Sequence, residues 1–351
     1  MTKIDVAELK RILTTAAPRT RESSGLPAAG VFRQQSQELH VLREQLQSIL
    51  VKGGFDVEKM NKIAAQNRTE VRRIFKQQQS DVAKGLPQKK SALLKALASR
   101  RGAFNSLPFG PTLPQYYLLQ EPFLIWQTPN TPKALVESNI EPNNSWMKVF
   151  INTNPSVETR HQEDSQQPPQ PDGLDFTFYF YWLNDNDFTA VTNISTFLVL
   201  AGAFELDSEA GWLSGDKVTL SIEASLSPLE WWTQPPGVPV AEQSQAQSVL
   251  NLSAQGGGFW SSLLTLASAS FDTETAMLTL KPFELNYNLF SIPPNALAIF
   301  EVTLKIAYDY PSSSNAGDRV FVDFSSGDNL ILCPYFVIEV LPSNRTVVSE
   351  P

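Results

Sequence analysis

The sequence predicts an α+β chain in which an N-terminal helical region is followed by a large antiparallel β-sandwich of jelly-roll type. Residues 1–110 carry 20 Lys and Arg against 9 Asp and Glu, whereas residues 111–351 carry 8 against 27. All 7 Trp and all 8 Tyr lie in the second region. Apolar residues recur at helical spacing up to about residue 98 and alternate from about residue 118. We therefore predict two regions, 1–110 and 111–351, with different roles.

Composition sets limits on the class of protein. The chain of 351 residues is 42% hydrophobic, which is enough for a packed core in one large domain or two ordinary ones. Its single cysteine, Cys333, excludes an intrachain disulfide framework and is expected to be a small buried core residue. We expect no signal peptide and no transmembrane segment, hence a cytoplasmic or particle-associated protein.

Apolar stripes at three- and four-residue steps predict four helical segments in the basic region. Gly53 and Gly54 are expected to end the second segment. The run Gly85-Leu86-Pro87 is expected to separate the third from the fourth, which would start with Ser91 as its N-cap. The predicted segments are residues 5–16, 32–51, 57–79 and a fourth from residue 91.

The second segment has a narrow apolar stripe whose spacing is close to a heptad repeat but lasts fewer than three repeats. Such stripes are typical of helices that pair with each other or with another copy. We therefore predict a homo-oligomer with this stripe as a helix–helix assembly face. Its residues are Phe32, Leu39, Leu42, Leu46 and Ile49.

The later helical segments concentrate positive charge into a candidate basic contact face. A basic helix face can bind nucleic acid or another polyanion through phosphate, or anionic lipid. The acidic region of the same or another copy is an equally suitable partner, and a solvated helix face is the plain alternative. The residues of this face are Arg68, Arg72, Arg73, Lys76, Lys89, Lys90, Arg100 and Arg101.

The second region reads as about a dozen strands without helical patterns between them, which favours a two-sheet sandwich. One alternating run puts Phe176, Phe178, Phe180 and Trp182 on one strand face, and its aromatic rings are expected to fill the core. The predicted strands are 122–127, 146–152, 176–182, 195–206, 218–224, 248–253, 259–271, 276–281, 283–290, 298–308, 319–324 and 330–341.

Trp231 and Trp232 precede a loop rich in proline and glutamine, residues 234–247. Adjacent residues of an extended segment point to opposite sides, so at least one ring could be exposed. The pair is a candidate aromatic recognition site for a glycan or a protein partner. The alternative is that both rings are buried at a sheet edge.

No residue pattern specifies a chemistry. The two histidines, His40 and His161, lie in no nucleophile motif, and no phosphate-binding loop is present. The run 184–187 (Asn-Asp-Asn-Asp) carries oxygen ligands suited to calcium, but it lacks the glycine and distal glutamate of a calcium loop and fits an Asx-rich turn. We therefore predict no catalytic residue, no metal site and no cofactor.

These observations favour a non-enzymatic structural or binding protein. The helical region would mediate self-assembly or anchoring, and the sandwich would mediate assembly or recognition. One alternative is a capsid-like shell protein whose basic region contacts nucleic acid. The other is a carbohydrate-active enzyme with a carboxylate pair in a cleft lined by Trp126, Trp231 or Trp232.

Overall fold

The computed structural model describes residues 6–16, 51–54, 56–104, 113–127, 134–141, 145–153, 172–208, 217–231, 241–242, 244–255, 273–309 and 318–342. Helix α1 spans Val6–Ala16 and helix α2 spans Val57–Phe104. The predicted assembly face of residues 32–49 lies outside the described residues. Residues 51–52 are helical and are followed by a turn at Gly53 and Gly54, where the glycine pair predicted a helix end.

The described strands are β1 Gln115–Leu119, β2 Leu124–Gln127, β3 Ala134–Glu141, β4 Trp146–Thr153, β5 Asp172–Leu183, β6 Ala190–Asp207, β7 Lys217–Trp231, β8 Ala241–Glu242, β9 Gln245–Gln255, β10 Thr273–Ile292, β11 Leu297–Asp309, β12 Arg319–Asp323, β13 Leu330–Leu332 and β14 Phe336–Val340. The pairings among them are antiparallel. Sheet A has the order β1-β14-β6-β12-β4-β13, with β10 added to β6 and β3 to β4. Sheet B has the order β2-β5-β11-β7-β8, with β9 added to β7.

This architecture confirms the predicted helical region followed by a jelly-roll-like antiparallel sandwich. Several strand bounds differ from the prediction. The segments 276–281 and 283–290 form the single strand β10, in which a register shift accompanies the positive φ of Leu280. The segment 330–341 is two strands, and β1, β3 and β8 were not predicted. The predicted strand 259–271 lies outside the described residues.

The main core lies between the two sheets and is rich in aromatic rings, as the alternating pattern predicted. Phe176, Phe178 and Phe180 are completely buried there. The ring of Phe336 from sheet A stacks on two rings of sheet B, at 4.6 Å from Phe300 and 5.3 Å from Phe180. These stacked rings fill the space that two facing sheets leave between them.

The two helices cover the outer faces of the sandwich. Leu9 and Leu13 of α1 pack in an apolar cluster with residues of sheet B, among them Ile299. Leu97 of α2 packs with residues of sheet A, among them Val199. The described chain is therefore layered as helix, sheet, sheet and helix.

Helix α2 corrects the predicted break at residues 85–87. It begins at the N-cap Asp56, whose Oδ1 accepts the backbone N–H of Lys59 at 2.9 Å, and continues through Pro87 for 48 residues. Ser91 therefore lies inside the helix and is not an N-cap. An internal proline costs about 3 kcal/mol. Phe75, Leu86 and Leu97 are at most 5% exposed, and burial of each contributes about 1.5–3 kcal/mol, which outweighs the proline.

Candidate functional site

The inner side of α2 is joined to the sandwich by a charged cluster at the end of β6. Arg72 donates from Nε to Glu205 Oε1 at 3.0 Å and from Nη2 to Asp207 Oδ2 at 2.5 Å. Glu205 is 6% exposed and Asp207 1% exposed. The second oxygen of Asp207 accepts the hydroxyl of Thr273 from β10 at 2.8 Å. One guanidinium therefore holds two buried carboxylates and ties α2 to the middle of sheet A.

The surroundings of this cluster shift the pKa values of Glu205 and Arg72. Burial raises the pKa of Glu205, and the neighbouring charge of Asp207 raises it further, while Arg319 and Arg72 act in the opposite direction. Burial acts against the charge of Arg72, but the hydrogen bonds and charges of Asp207 and Glu205 outweigh it and raise the guanidinium pKa. Arg72 therefore stays charged, and Glu205 is the member of the cluster that takes up a proton more readily than usual.

Three further cations of α2 bind the sandwich. Arg68 donates from Nη1 to the carbonyl oxygen of Ser208 at 3.3 Å. Lys90 Nζ lies 3.1 Å from Asp328 Oδ1, and Arg101 donates from Nη2 to the carbonyl oxygen of Pro334 at 2.5 Å. Together with Arg72, these residues form the inner cations, four of the twelve Lys and Arg side chains of the helix.

The other eight cations of α2 are exposed, and we call them the outer cations. Four of them recur every eleven residues, which is about three helical turns or roughly 16.5 Å, so they follow one line along the helix. The helix carries only three carboxylates, of which Glu70 pairs with Arg73 at 2.7 Å and Asp81 with Lys84 at 2.8 Å. The outer cations are Lys59, Lys62, Arg73, Lys76, Lys84, Lys89, Lys95 and Arg100, and those in line are Lys62, Arg73, Lys84 and Lys95.

The predicted basic contact face thus divides between the two sides of one helix. Its inner half contacts the acidic sandwich of the same chain, which is one of the partners that the charge separation suggested. Its outer half is exposed, and its contact with nucleic acid or lipid stays a prediction. The inner half is Arg68, Arg72, Lys90 and Arg101, and the outer half is Arg73, Lys76, Lys89 and Arg100.

The predicted aromatic site is only partly described. Trp231 is the last residue of β7 and pairs in register with Leu297 of β11, whereas Trp232 lies outside the described residues. The role of the Trp231 and Trp232 pair in recognition stays a prediction.

A second group of aromatic rings lies on the outer face of sheet B, and the sequence pattern did not single it out. We call this group, with its aliphatic neighbours, the α1 patch because α1 lies on it. Its members are Phe123, Leu124, Trp126, Tyr179, Tyr181, Leu229, Leu297 and Ile299.

The α1 patch is built by strand alternation. Tyr179 and Tyr181 alternate with the core phenylalanines of β5 and therefore point away from the main core. The ring of Phe123 meets that of Tyr181 edge to face at 5.3 Å. A groove of about 430 Å³ lies beside the patch, between β1 and β5, and includes Glu121, Phe123, Tyr181 and Trp182 in its lining. Trp126, predicted to line a sugar cleft, is part of the patch under α1.

Two residues singled out in the sequence have structural roles. Cys333 is completely buried, and burial raises the pKa of its thiol to about 12, which confirms a core cysteine. The amide of Asn184 donates to the carbonyl oxygens of Ile292 at 2.8 Å and Pro293 at 2.9 Å, and its Oδ1 accepts the N–H of Asn186. The run 184–187 is therefore an Asx-type turn that joins β5 to the loop before β11.

Neither histidine, His40 or His161, belongs to the described residues. Within the described part of the chain, no three His, Cys, Asp or Glu side chains are grouped to hold a metal ion. None of the helices that the structure describes combines the length and the hydropathy needed to cross a bilayer.

No protein-family model and no curated protein matches this chain. Among solved structures, the chain is similar to TmCBM61 in complex with β-1,4-galactotriose, with 9% identity, a TM-score of 0.20, and coverage of 62% of this chain and 90% of that one. It is also similar to the enzymatically active domain of bacteriophage CBA120 tailspike protein 4, with 13% identity, a TM-score of 0.20, and coverage of 59% and 19%. A third similarity, to the VP2 subviral particle of infectious bursal disease virus, has 13% identity, a TM-score of 0.11, and coverage of 47% and 42%. At these scores, function has to come from the chain's own residues.

Proposed function

We propose that this is a non-enzymatic structural and binding protein that self-assembles through its helical region. The β-sandwich would be the rigid body, and the outer cations of α2 would bind the acidic surface of another copy. The observation that supports this is the division of the cations of α2 into an inner set bound to the sandwich and an outer set exposed to solvent.

The outer cations have fixed positions because α2 is held on the sandwich, and fixed positions favour binding to a second copy. The inner cations and Leu97 hold α2 along sheet A, so the outer cations keep fixed spacings instead of fluctuating on a free arm. Charge complementarity with residues 111–351, which carry a net charge of −19, makes a second copy a suitable partner. On the inner side of the same helix, Arg72 pairs with two carboxylates of the sandwich of its own chain.

The test is the solution mass of the full-length protein by light scattering at about 50 mM and 500 mM salt. We expect an oligomer at low salt that dissociates at high salt, because exposed ion pairs are screened. A variant with Lys62, Arg73, Lys84 and Lys95 all changed to Glu should be monomeric at both salts. A control with the three lysines changed to Arg keeps the charge and should assemble as the natural protein does. A monomer at low salt would refute the proposal.

A capsid-like role is the second candidate, favoured by the line of outer cations at a spacing of roughly 16.5 Å. In this case the outer cations would contact the phosphates of packaged nucleic acid. Purified particles would then show an absorbance maximum near that of nucleic acid. The affinity for duplex DNA would fall with salt, and the four-residue charge reversal would lower the slope of that dependence by about 4. An absence of DNA binding at 50 mM salt would exclude this role.

A further inference from the structure

The α1 patch is a large apolar and aromatic surface with a single cover among the described residues. Tyr179 and Ile299 are at most 1% exposed, and Leu229 and Leu297 are 7% exposed, all in the cluster with α1. Without the helix, aromatic and aliphatic side chains of four strands of sheet B would face water together. Exposed apolar patches of this kind on soluble proteins mark interaction sites.

Two side chains of α1 hold the helix on the α1 patch. Leu9 and Leu13 are 3% and 5% exposed, whereas Val6 and Ile12 are only half-buried. Leu9 and Leu13 are four residues apart, so they lie on one face of the helix and enter the patch together. A helix of eleven residues is marginally stable by itself in water, so its folding depends on the patch. We expect α1 to be the first described element to open.

The connection between the helices does not force α1 to cover its own sandwich. Helix α1 lies on sheet B and α2 on sheet A, at opposite outer faces. Two sheets pack about 10 Å apart and each helix adds about 10 Å, so the path around the edge starts from a separation of roughly 30 Å. The 34 residues from 17 to 50, which lead to the helical residues 51–52, span at most roughly 110 Å. The same length reaches the patch of a neighbouring copy.

We propose that α1 is an exchangeable element, and that the α1 patch is the binding site for α1 of a second copy of this chain. The inference deepens the proposed self-assembly and rests on it, because contacts through the outer cations of α2 would bring the second patch close. At that point the neighbour's patch competes with the chain's own patch at a comparable effective concentration. Reciprocal exchange closes a symmetric dimer without creating a new type of contact.

The first experiment measures binding of a labelled peptide of residues 1–20 to full-length protein by fluorescence anisotropy. The acceptor is the Leu9→Ala, Leu13→Ala variant, whose own α1 can no longer fill the patch. We expect the peptide to bind this variant at least tenfold more tightly than it binds the natural protein. A control peptide with the same two substitutions should not bind. Equal binding of both peptides, or no binding to the variant, would overturn the proposal.

The second experiment tests exchange between full-length chains. The Leu9→Ala, Leu13→Ala variant keeps its patch, and a Tyr181→Glu variant keeps its α1 but has a charge at a partly buried position of the patch. We expect 1:1 complexes between the two variants in native mass spectrometry that persist at 500 mM salt, because the contact is apolar. Each variant must first show a folded sandwich by its thermal transition.

The two proposals fail in different ways. If both variants alone form the same salt-sensitive oligomer as the natural protein and gain no salt-resistant 1:1 complex, exchange is wrong and the proposed function stands. If no oligomer forms under any condition but the peptide still binds, the patch can accept a separate α1 but full-length chains do not exchange it, and both exchange and self-assembly are wrong.

Discussion

Removal of Arg72 should be the most informative single change in this protein. Its guanidinium pairs with Glu205 and Asp207, which are 6% and 1% exposed, and within the described residues it is the α2 side chain that forms ion pairs with these two carboxylates. The Arg72→Ala variant keeps both buried negative charges and removes the cation that satisfies them. Loss of one partner of a buried ion pair typically costs about 3–5 kcal/mol. Because the Arg72 side chain is 40% exposed, water screens part of the loss, and we expect about 2–3 kcal/mol.

The assay is urea unfolding of the full-length protein followed by tryptophan fluorescence, arranged as a double-mutant cycle with Asp207→Asn. All seven Trp residues lie in residues 111–351, so the signal reports on the sandwich. The double variant should be more stable than the sum of the single losses allows, with a coupling free energy of at least about 1 kcal/mol. The Arg73→Ala variant is a matched control one residue away, since Arg73 pairs with Glu70 on the exposed side of the same helix.

Two results would refute the reasoning. If Arg72→Ala and Arg73→Ala shift the unfolding midpoint equally, burial of the Arg72 ion pair does not increase its contribution to the free energy of unfolding. If Asp207→Asn and Arg72→Ala are additive, the Arg72–Asp207 contact contributes nothing as a pair, and α2 is held by its other polar and apolar contacts.

The remaining predictions concern the core and α2. Cys333 should not react with a thiol reagent at pH 8 until the protein unfolds, because its pKa is about 12. Gly202→Ala should lower the free energy of unfolding by about 1–3 kcal/mol, since a Cβ there would lie 2.7 Å from Phe324 Cδ1. The raised pKa of Glu205 means that the folded chain binds this proton more tightly, so stability is lost as pH rises above about 4.5; the Tm advantage of Glu205→Gln should be largest near pH 7 and shrink toward pH 5. Pro87→Ala should raise stability by about 1–2 kcal/mol, because it restores a backbone hydrogen bond inside α2.

The sandwich was predictable because strand alternation is a local property. Phe176, Phe178 and Phe180 occupy the core because consecutive side chains of a strand point to opposite sides, whatever the neighbouring strands are. The same rule placed Tyr179 on the other face, but it could not say that a helix from the far end of the sequence covers this ring. Alternation identifies a face, and only tertiary packing identifies what lies on it.

The helices were harder to predict because their bounds depend on distant contacts. Pro87 is a strong local signal for a helix end, and it was overruled by the burial of Leu86 and Leu97 on either side of it. The sequence grouped eight cations as one contact face, and their division into two sides follows from the direction in which α2 lies on the sheet.

The layered structure connects the charge separation of the sequence to assembly. A basic helix that used all its cations to neutralise its own sandwich would end as a closed, inert layer. In helix α2, four cations contact the sandwich and eight are exposed, while the whole helix carries three carboxylates. The sandwich, with a net charge of −19 over residues 111–351, keeps an excess of carboxylates that these inner cations do not neutralise. Each copy therefore offers both a cationic helix surface and an acidic body, so two copies can pair reciprocally, helix to body, in the symmetric dimer that exchange of α1 would close.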